Sequence, residues 1–199
     1  AFPDDIDQPD VPFVLLEKNK TRTYTAQSGL VGPDGIDTPT RALYQLDQYQ
    51  FEQVGNEPLI VSMTSIDTAK AVEVEKRFTF QPDSYVITVE YNIKNNGSRR
   101  WQAVPFAQLK RDSSQPPGAD STGFGLKPFL GAATTTEDSR FEKFTFDDMA
   151  EDPWKATLTG GWIAMLQHYL LSAWIPCSDS SYTYTTRQTR QGFNIAGFT

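Results

Sequence analysis

An all-β fold, a sandwich or barrel of mainly antiparallel strands, follows from three features of this 199-residue chain. Apolar residues recur at every second position through its best-patterned stretches. Candidate strands return roughly every 10–15 residues, separated by clusters of Gly, Pro, Asn and Asp. Aromatic and aliphatic residues are spread along the whole length, with aromatics at 13%, which supplies core material throughout and excludes low-complexity disorder.

The clearest alternation is in Val72–Phe80, where Val72, Val74, Phe78 and Phe80 share one face and Glu73, Glu75, Arg77 and Thr79 the other. The Lys76 stem is expected to lie along the apolar face. After a turn at Gln81-Pro82-Asp83-Ser84 the pattern resumes, with Tyr85, Ile87, Val89, Tyr91 and Ile93 on the half-buried side of a hairpin. Asn95-Asn96-Gly97 reads as a second tight turn, Asn-Gly supplying the positive φ angles of a primed type. It leads into a strand over 101–110, where Pro105 predicts an edge position or a bulge. Further strands are expected at 13–17, 22–28, 50–54, 59–65, 124–132, 141–146, 155–159, 182–187 and 193–198. The stretches 31–40 (VGPDGIDTPT) and 111–123 (RDSSQPPGADSTG) read as loops, connectors in preference to binding loops. Residues 162–175 (WIAMLQHYLLSAWI) fit both a helix and a broken strand; in an all-β chain we read two buried strands with a corner near 167–169, bounded by Gly160-Gly161 and Pro176. No composition shift and no internal repeat divides the chain, so a single domain over 1–199 is expected.

Eighteen basic residues against 25 acidic ones give a formal net charge of −7. That balance disfavours nucleic acid, which is bound by neutralising phosphates, and anionic lipid surfaces. The 14-residue apolar stretch falls short of the ~20 residues a membrane-spanning helix needs. The N-terminal Ala1-Phe2-Pro3-Asp4-Asp5 lacks the basic and apolar regions of a signal peptide, which leaves a cytosolic protein or a mature or excised piece.

Catalytic chemistry finds little material. Cys177 is the only cysteine, so neither an internal disulfide nor a multi-Cys zinc site is available. No basic neighbour in sequence activates it. His168, the only histidine, lies in the most apolar stretch, where a backbone-bonded core position outweighs a triad role. Asp4, Asp5, Asp7 and Asp10 lack the Gly and bidentate Glu of an EF-hand loop and read as a solvated acidic tail. Glu73/Glu75 and Asp147/Asp148 are the pairs that a glycosidase reading would use, though sequence does not bring any two across a cleft. Phosphate-cradling and nucleophile-elbow motifs are missing, and the sequons at Asn19 and Asn96 read as chance in a Thr-rich chain. The remaining candidates are aromatic. Phe129, Phe141, Phe144, Phe146, Trp154, Trp162 and Trp174 cluster in the C-terminal half; most are expected in the core, and those left exposed would form a partner surface or a sugar platform.

Several longer strings carry a resemblance. Tyr24-Thr25-Ala26-Gln27-Ser28-Gly29-Leu30 followed by Gly32-Pro33-Asp34-Gly35, and Gly160-Gly161-Trp162-Ile163-Ala164-Met165-Leu166-Gln167 running on to Ser172-Ala173-Trp174-Ile175-Pro176, are the strongest. Phe106-Ala107-Gln108-Leu109-Lys110, Phe129-Leu130-Gly131-Ala132-Ala133 and Phe141-Glu142-Lys143-Phe144 follow at the expected intervals. Together these strings resemble the large periplasmic domain of the YidC/Oxa1/Alb3 family of inner-membrane protein insertases.

The resemblance implies a β-supersandwich with long loops and little helix. It implies a periplasmic location in a Gram-negative bacterium, tethered to the inner membrane in the parent protein, and a chain that starts after the family domain's first strands and stops before its helical linker. It implies no catalysis and no cofactor or metal, since insertion belongs to transmembrane helices that this sequence does not contain. Its expected partners are the SecD and SecF accessory subunits of the Sec translocon, and client membrane proteins. Six of the aromatics, Phe129, Phe141, Phe144, Trp154, Trp162 and Trp174, within the span from Leu126 to Ile175, are the expected partner-binding residues. A carbohydrate- or polymer-binding sandwich is the alternative. The family's fold kinship with epimerases carries no activity here, because such chemistry uses several histidines.

Overall fold

A computed structural model describes residues 3–5, 8–116, 129–167 and 170–199. It is almost entirely antiparallel β, with one short helix, as the alternation predicts. The chain gathers into two compact units, one made of Ala1–Gly29 with Pro105–Thr199 and the other of Leu30–Val104.

The first unit holds two sheets and a small hairpin. The hairpin pairs β1 (Pro3–Asp5) with β2 (Gln8–Pro12), so Asp4, Asp5 and Asp10 of the acidic run lie in strands, Asp10 exposed; Asp7 lies outside the described residues. A six-stranded sheet comprises β3 (Glu17–Lys18), β4 (Thr23–Val31), β8 (Val104–Arg111), β11 (Trp154–Thr159), β14 (Ser181–Gln188) and β15 (Asn194–Phe198) in the order β11-β14-β15-β8-β4-β3. A four-stranded sheet comprises β9 (Gly131–Thr134), β10 (Glu142–Thr145), β12 (Ile163–Gln167) and β13 (Leu170–Trp174) in the order β10-β9-β12-β13.

These two sheets form a sandwich. Its core takes Tyr24, Ala107, Leu109, Tyr184, Ala196 and Phe198 from the six-stranded sheet and Ala132, Phe144, Ile163 and Met165 from the four-stranded one. Helix α1 (Phe146–Glu151) adds the fully buried Met149. The helix replaces the end of the strand expected over 141–146. Thr145 caps it: the hydroxyl accepts from Asp148 N at 3.1 Å, while Asp148 Oδ2 accepts from Thr145 N at 2.7 Å. This reciprocal capping box, with Asp147 and Asp148 in the first turn, explains why the chain turns helical there.

Ile163–Gln167 and Leu170–Trp174 are antiparallel neighbours, Ile163 opposite Trp174, so 162–175 holds two strands as expected; the corner at 168–169, His168 included, lies outside the described residues. Gly160 and Gly161, at φ of +71° and +92°, start the run in a conformation L side chains rarely adopt. Pro105 does not mark an edge: β8 is an interior strand whose pairing with β15 covers Ala107 to Arg111, leaving Pro105 beyond it. No strand forms at 50–54, and at 13–17 only Glu17 is in one. Of the strand expected at 124–132, residues 124–128 lie outside the described residues, 129 and 130 are in no strand, and 131 and 132 enter β9.

The second unit is built on a three-stranded sheet of β5 (Leu59–Asp67), β6 (Val72–Phe80) and β7 (Ile87–Asn95), with β6 central. Its register sets Val74 opposite Ile93 and Phe78 opposite Val89, the apolar face expected from the alternation. Leu30, Val72 and Val74 are its buried centre, with Ile36, Tyr91, Trp101 and Ala103 packed around them. The connection between β6 and β7 runs from 81 to 86, so the fully exposed Tyr85 belongs to the loop and not to the strand. Neither Asn96 nor Gly97 has positive φ, so the expected primed turn is absent. The left-handed residue there is Ala71 (φ +54°), whose carbonyl accepts from Asn96 N. The outer strand β7 is open, with seven of its nine residues exposed.

Candidate functional site

Strand register sorts four of the six aromatic residues, Phe141, Phe144, Trp162 and Trp174, onto the two faces of the four-stranded sheet, while Trp154 is in β11 of the six-stranded sheet and Phe129 precedes β9. Lys143 is opposite Ala133, Ala164 opposite both Ala133 and Ala173. Continued by two positions, that register brings Phe141, Thr135, Trp162 and Ile175 into a single row across the four strands. The Phe141 and Trp162 rings meet at 5.8 Å between centroids, tilted by 38°. This face is directed away from the sandwich core. Its floor is Gly131, Ala133 and Ala164, all buried although they do not face the core. Phe129 covers part of the floor: a Cβ on Gly131 would stand 2.8 Å from its ring, and the Lys143 ammonium sits 4.8 Å from its centroid. Phe141 (53% exposed), Leu171 (58%) and Ile175 (72%) rim the face with large apolar groups in solvent. The small residues in the middle strands are covered, so the apolar groups this face leaves in solvent are the large ones at its margins.

The other three aromatics serve the core. Phe144 is in it, its ring 5.4 Å from that of Trp154, and Trp154 and Trp174 pack against its border. Trp174 points inward because it follows Ser172 at strand period.

A polar cluster closes one end of the sandwich interior, and sequence reasoning missed it. Arg111 continues the inward-facing series Ala107, Leu109 and is fully buried. Its Nη1 donates to Gln167 Oε1 at 2.6 Å and its Nη2 to Ser114 O at 2.9 Å. Its guanidinium lies 5.2 Å from the Tyr24 ring centroid and 5.9 Å from that of Phe146. Arg22, also buried, donates to Glu17 Oε1 at 2.6 Å and to Gln167 Oε1 at 3.5 Å. Burial pulls Arg111 down to about 10, a shift that Tyr24 opposes and Arg22 reinforces, so the group keeps its charge at neutral pH. The signal was available: strand parity places both arginines on the same side as core residues.

In the second unit, Lys76 is buried with its ammonium 5.2 Å from the Phe78 ring centroid and 5.4 Å from that of Tyr91. Burial lowers it to about 8, assisted by Arg41 and opposed by Asp37. The same unit has a polar pocket of about 290 Å³ whose walls include Asp34, Lys70, Arg99, Arg100 and Trp101.

One member of each carboxylate pair is tied into local structure. Glu75 is held below its usual value by a hydrogen bond from Asn92 foremost, and Arg77 donates to it as well. Asp148 is lowered by the Thr145 hydroxyl and backbone of the helix cap. Cys177 is exposed, two residues beyond Ile175. Among the described residues, no three His, Cys, Asp or Glu side chains gather as a metal site, and no helix is long and apolar enough to cross a membrane.

Comparison with known proteins decides what this scaffold is. The family model described as the YidC periplasmic domain matches residues 1–199. The chain belongs to the YidC periplasmic domain family. Among curated relatives, the membrane protein insertase YidC of Alcanivorax borkumensis is 42% identical over 190 residues, covering 93% of this chain and 32% of the relative. That of a Marinomonas species is 42% identical over 198 residues, 98% of this chain and 35% of the relative. That of Stutzerimonas stutzeri is 40% identical over 200 residues, covering the whole chain and 35% of the relative. The chain thus spans about a third of the length of the YidC proteins it matches. The resemblance read from 24–35 and 160–176 therefore holds, as do the periplasmic location and the non-catalytic character of this YidC domain.

Proposed function

We propose that this domain is the interaction and scaffold module of its insertase, and that the outer face of the four-stranded sheet meets the periplasmic parts of the SecD and SecF accessory subunits. The observation that carries this reading is the apolar row Phe141, Trp162 and Ile175, half or more exposed at both margins. Apolar side chains contiguous across a sheet and left in water are characteristic of partner surfaces, where buried aromatics dominate binding energy. The SecD/SecF assignment rests on the family resemblance. Client membrane proteins passing the same face during insertion would use the same apolar groups. The domain contributes contact and positioning, while insertion itself belongs to the rest of the parent protein.

The test is co-purification of SecD/SecF with the full-length parent carrying Phe141→Ala and Trp162→Ala. Truncating two hot-spot aromatics costs about 2 kcal/mol or more, roughly thirtyfold in affinity. Phe141 is exposed, so its replacement leaves the thermal midpoint nearly unchanged. Undiminished co-purification with the doubly substituted protein would remove this face from the reading.

A further inference from the structure

Arg22, Arg111 and Gln167 hold more hydrogen-bond donors than the described residues can satisfy. Both guanidiniums converge on one acceptor, Gln167 Oε1. The Nε atoms of Arg22 and Arg111 and the Nε2 of Gln167 are buried and have no partner among the described residues. Covalent geometry keeps these three atoms close to that same oxygen. The three side chains are 6%, 0% and 4% exposed.

The charges do not balance either. Glu17 pairs with Arg22 at 2.6 Å. Arg111 has only neutral acceptors, Gln167 Oε1 and Ser114 O. The neighbouring Asp112 accepts from the backbone of Thr23 and from the amide and hydroxyl of Ser114, and makes no ion pair with Arg111. Of the two buried cations, Arg22 is ion-paired with Glu17, while Arg111 feels the Asp112 carboxylate only at a distance and makes no ion pair. Buried charges in proteins are compensated, and an unpaired buried donor costs about 1–3 kcal/mol. Three orphaned donors, two of them on guanidiniums and one of those without an ion pair, call for a small negatively charged acceptor.

We propose that this cluster is a binding site for a small monovalent inorganic anion of the halide class, held at the end of the sandwich interior by Arg111 Nε, Arg22 Nε and Gln167 Nε2. A halide accepts several N–H donors at once without needing their directions to match an oxygen lone pair. The donors' lack of solvent exposure selects a small ion over phosphate or a carboxylate ligand. Glu17, 27% exposed, marks the side that opens toward solvent.

Diffraction from crystals grown in bromide gives the direct test: an anomalous peak beside Arg111 Nε is expected. In solution, thermal melts in sodium chloride and sodium gluconate at matched ionic strength should separate, with a saturable rise of Tm in chloride alone. Arg111→Met should abolish that difference. The buried stem is of similar length, and replacing buried ions by apolar groups is often neutral for folding. The surface variant Arg99→Gln should leave it intact. A map in bromide showing water only, or equal chloride responses in the wild type and Arg111→Met, would overturn the assignment. If Arg111→Met fails to fold, the bromide map alone decides.

Discussion

Lys76 shows how one side chain can set a stability profile. Burial between Phe78 and Tyr91 lowers its folded value from 10.5 to about 8. Below pH 8 both states carry the proton and the burial penalty is present in full. Between about 8 and 10.5 the unfolded chain binds more protons than the folded one, so this residue makes stability rise with pH, levelling off above. The expected outcome is that wild type minus Lys76→Met, compared by urea denaturation from pH 7 to 10.5, shows a rise that the tyrosines common to both proteins cannot produce. A flat difference would show that Lys76 titrates normally. Alternation in Val72–Phe80 already placed the Lys76 stem on the apolar face; the position of the ammonium between two rings needed the β6–β7 register. Likewise Arg111 follows Leu109 at strand period, while its meeting with Gln167 and Arg22 depends on three separate segments. Local pattern shows which way a residue points; which groups it finds there is a tertiary fact.

Whole elements were legible where a period ran long enough. The hairpin of β6 and β7 is an example; the pattern in 162–175 fits helix and strand alike, and its all-β surroundings decide it. Helix α1 was not legible, because its six residues span less than two turns and carry too short a pattern; the Thr145–Asp148 spacing was its sole sign. Thr145→Ala should therefore cost about 1 kcal/mol in chemical denaturation. The strand expected at 50–54 failed because apolar residues alone do not create a ladder partner. The entry to β12 is constrained more tightly than either. At Gly161 a Cβ would stand 2.4 Å from Thr135 Cγ2, in a backbone conformation already unfavourable for L residues. Gly161→Ala should destabilise on the order of 1–3 kcal/mol and disturb the Trp162 side of the outer face. A melt equal to wild type would show that Thr135 yields freely.

Across the molecule, burial is uneven. Strands β9 and β15 are buried at every residue, and β12 nearly so, whereas β7 is mostly exposed. Local opening costs least where few apolar contacts must break. Native-state hydrogen exchange should find β15 and β12 amides protected close to the global limit and those of β7 exchanging well before them. Equal protection in all three would mean that the chain opens only as one cooperative body. The family model spans residues 1–199, whereas the fold gathers into two compact units. Periodicity within a strand carries no information about that grouping, since the first unit is assembled from both ends of the chain.

The single cysteine bears on how this molecule can be watched. Cys177 is exposed and lies two residues past Ile175, at the margin of the apolar row. A maleimide dye would label this chain at one position without any engineering. That position borders the face proposed to meet a partner and is well separated in sequence from Phe141 and Trp162. Docking would then be readable as a change in the emission or anisotropy of one fluorophore on an otherwise native chain.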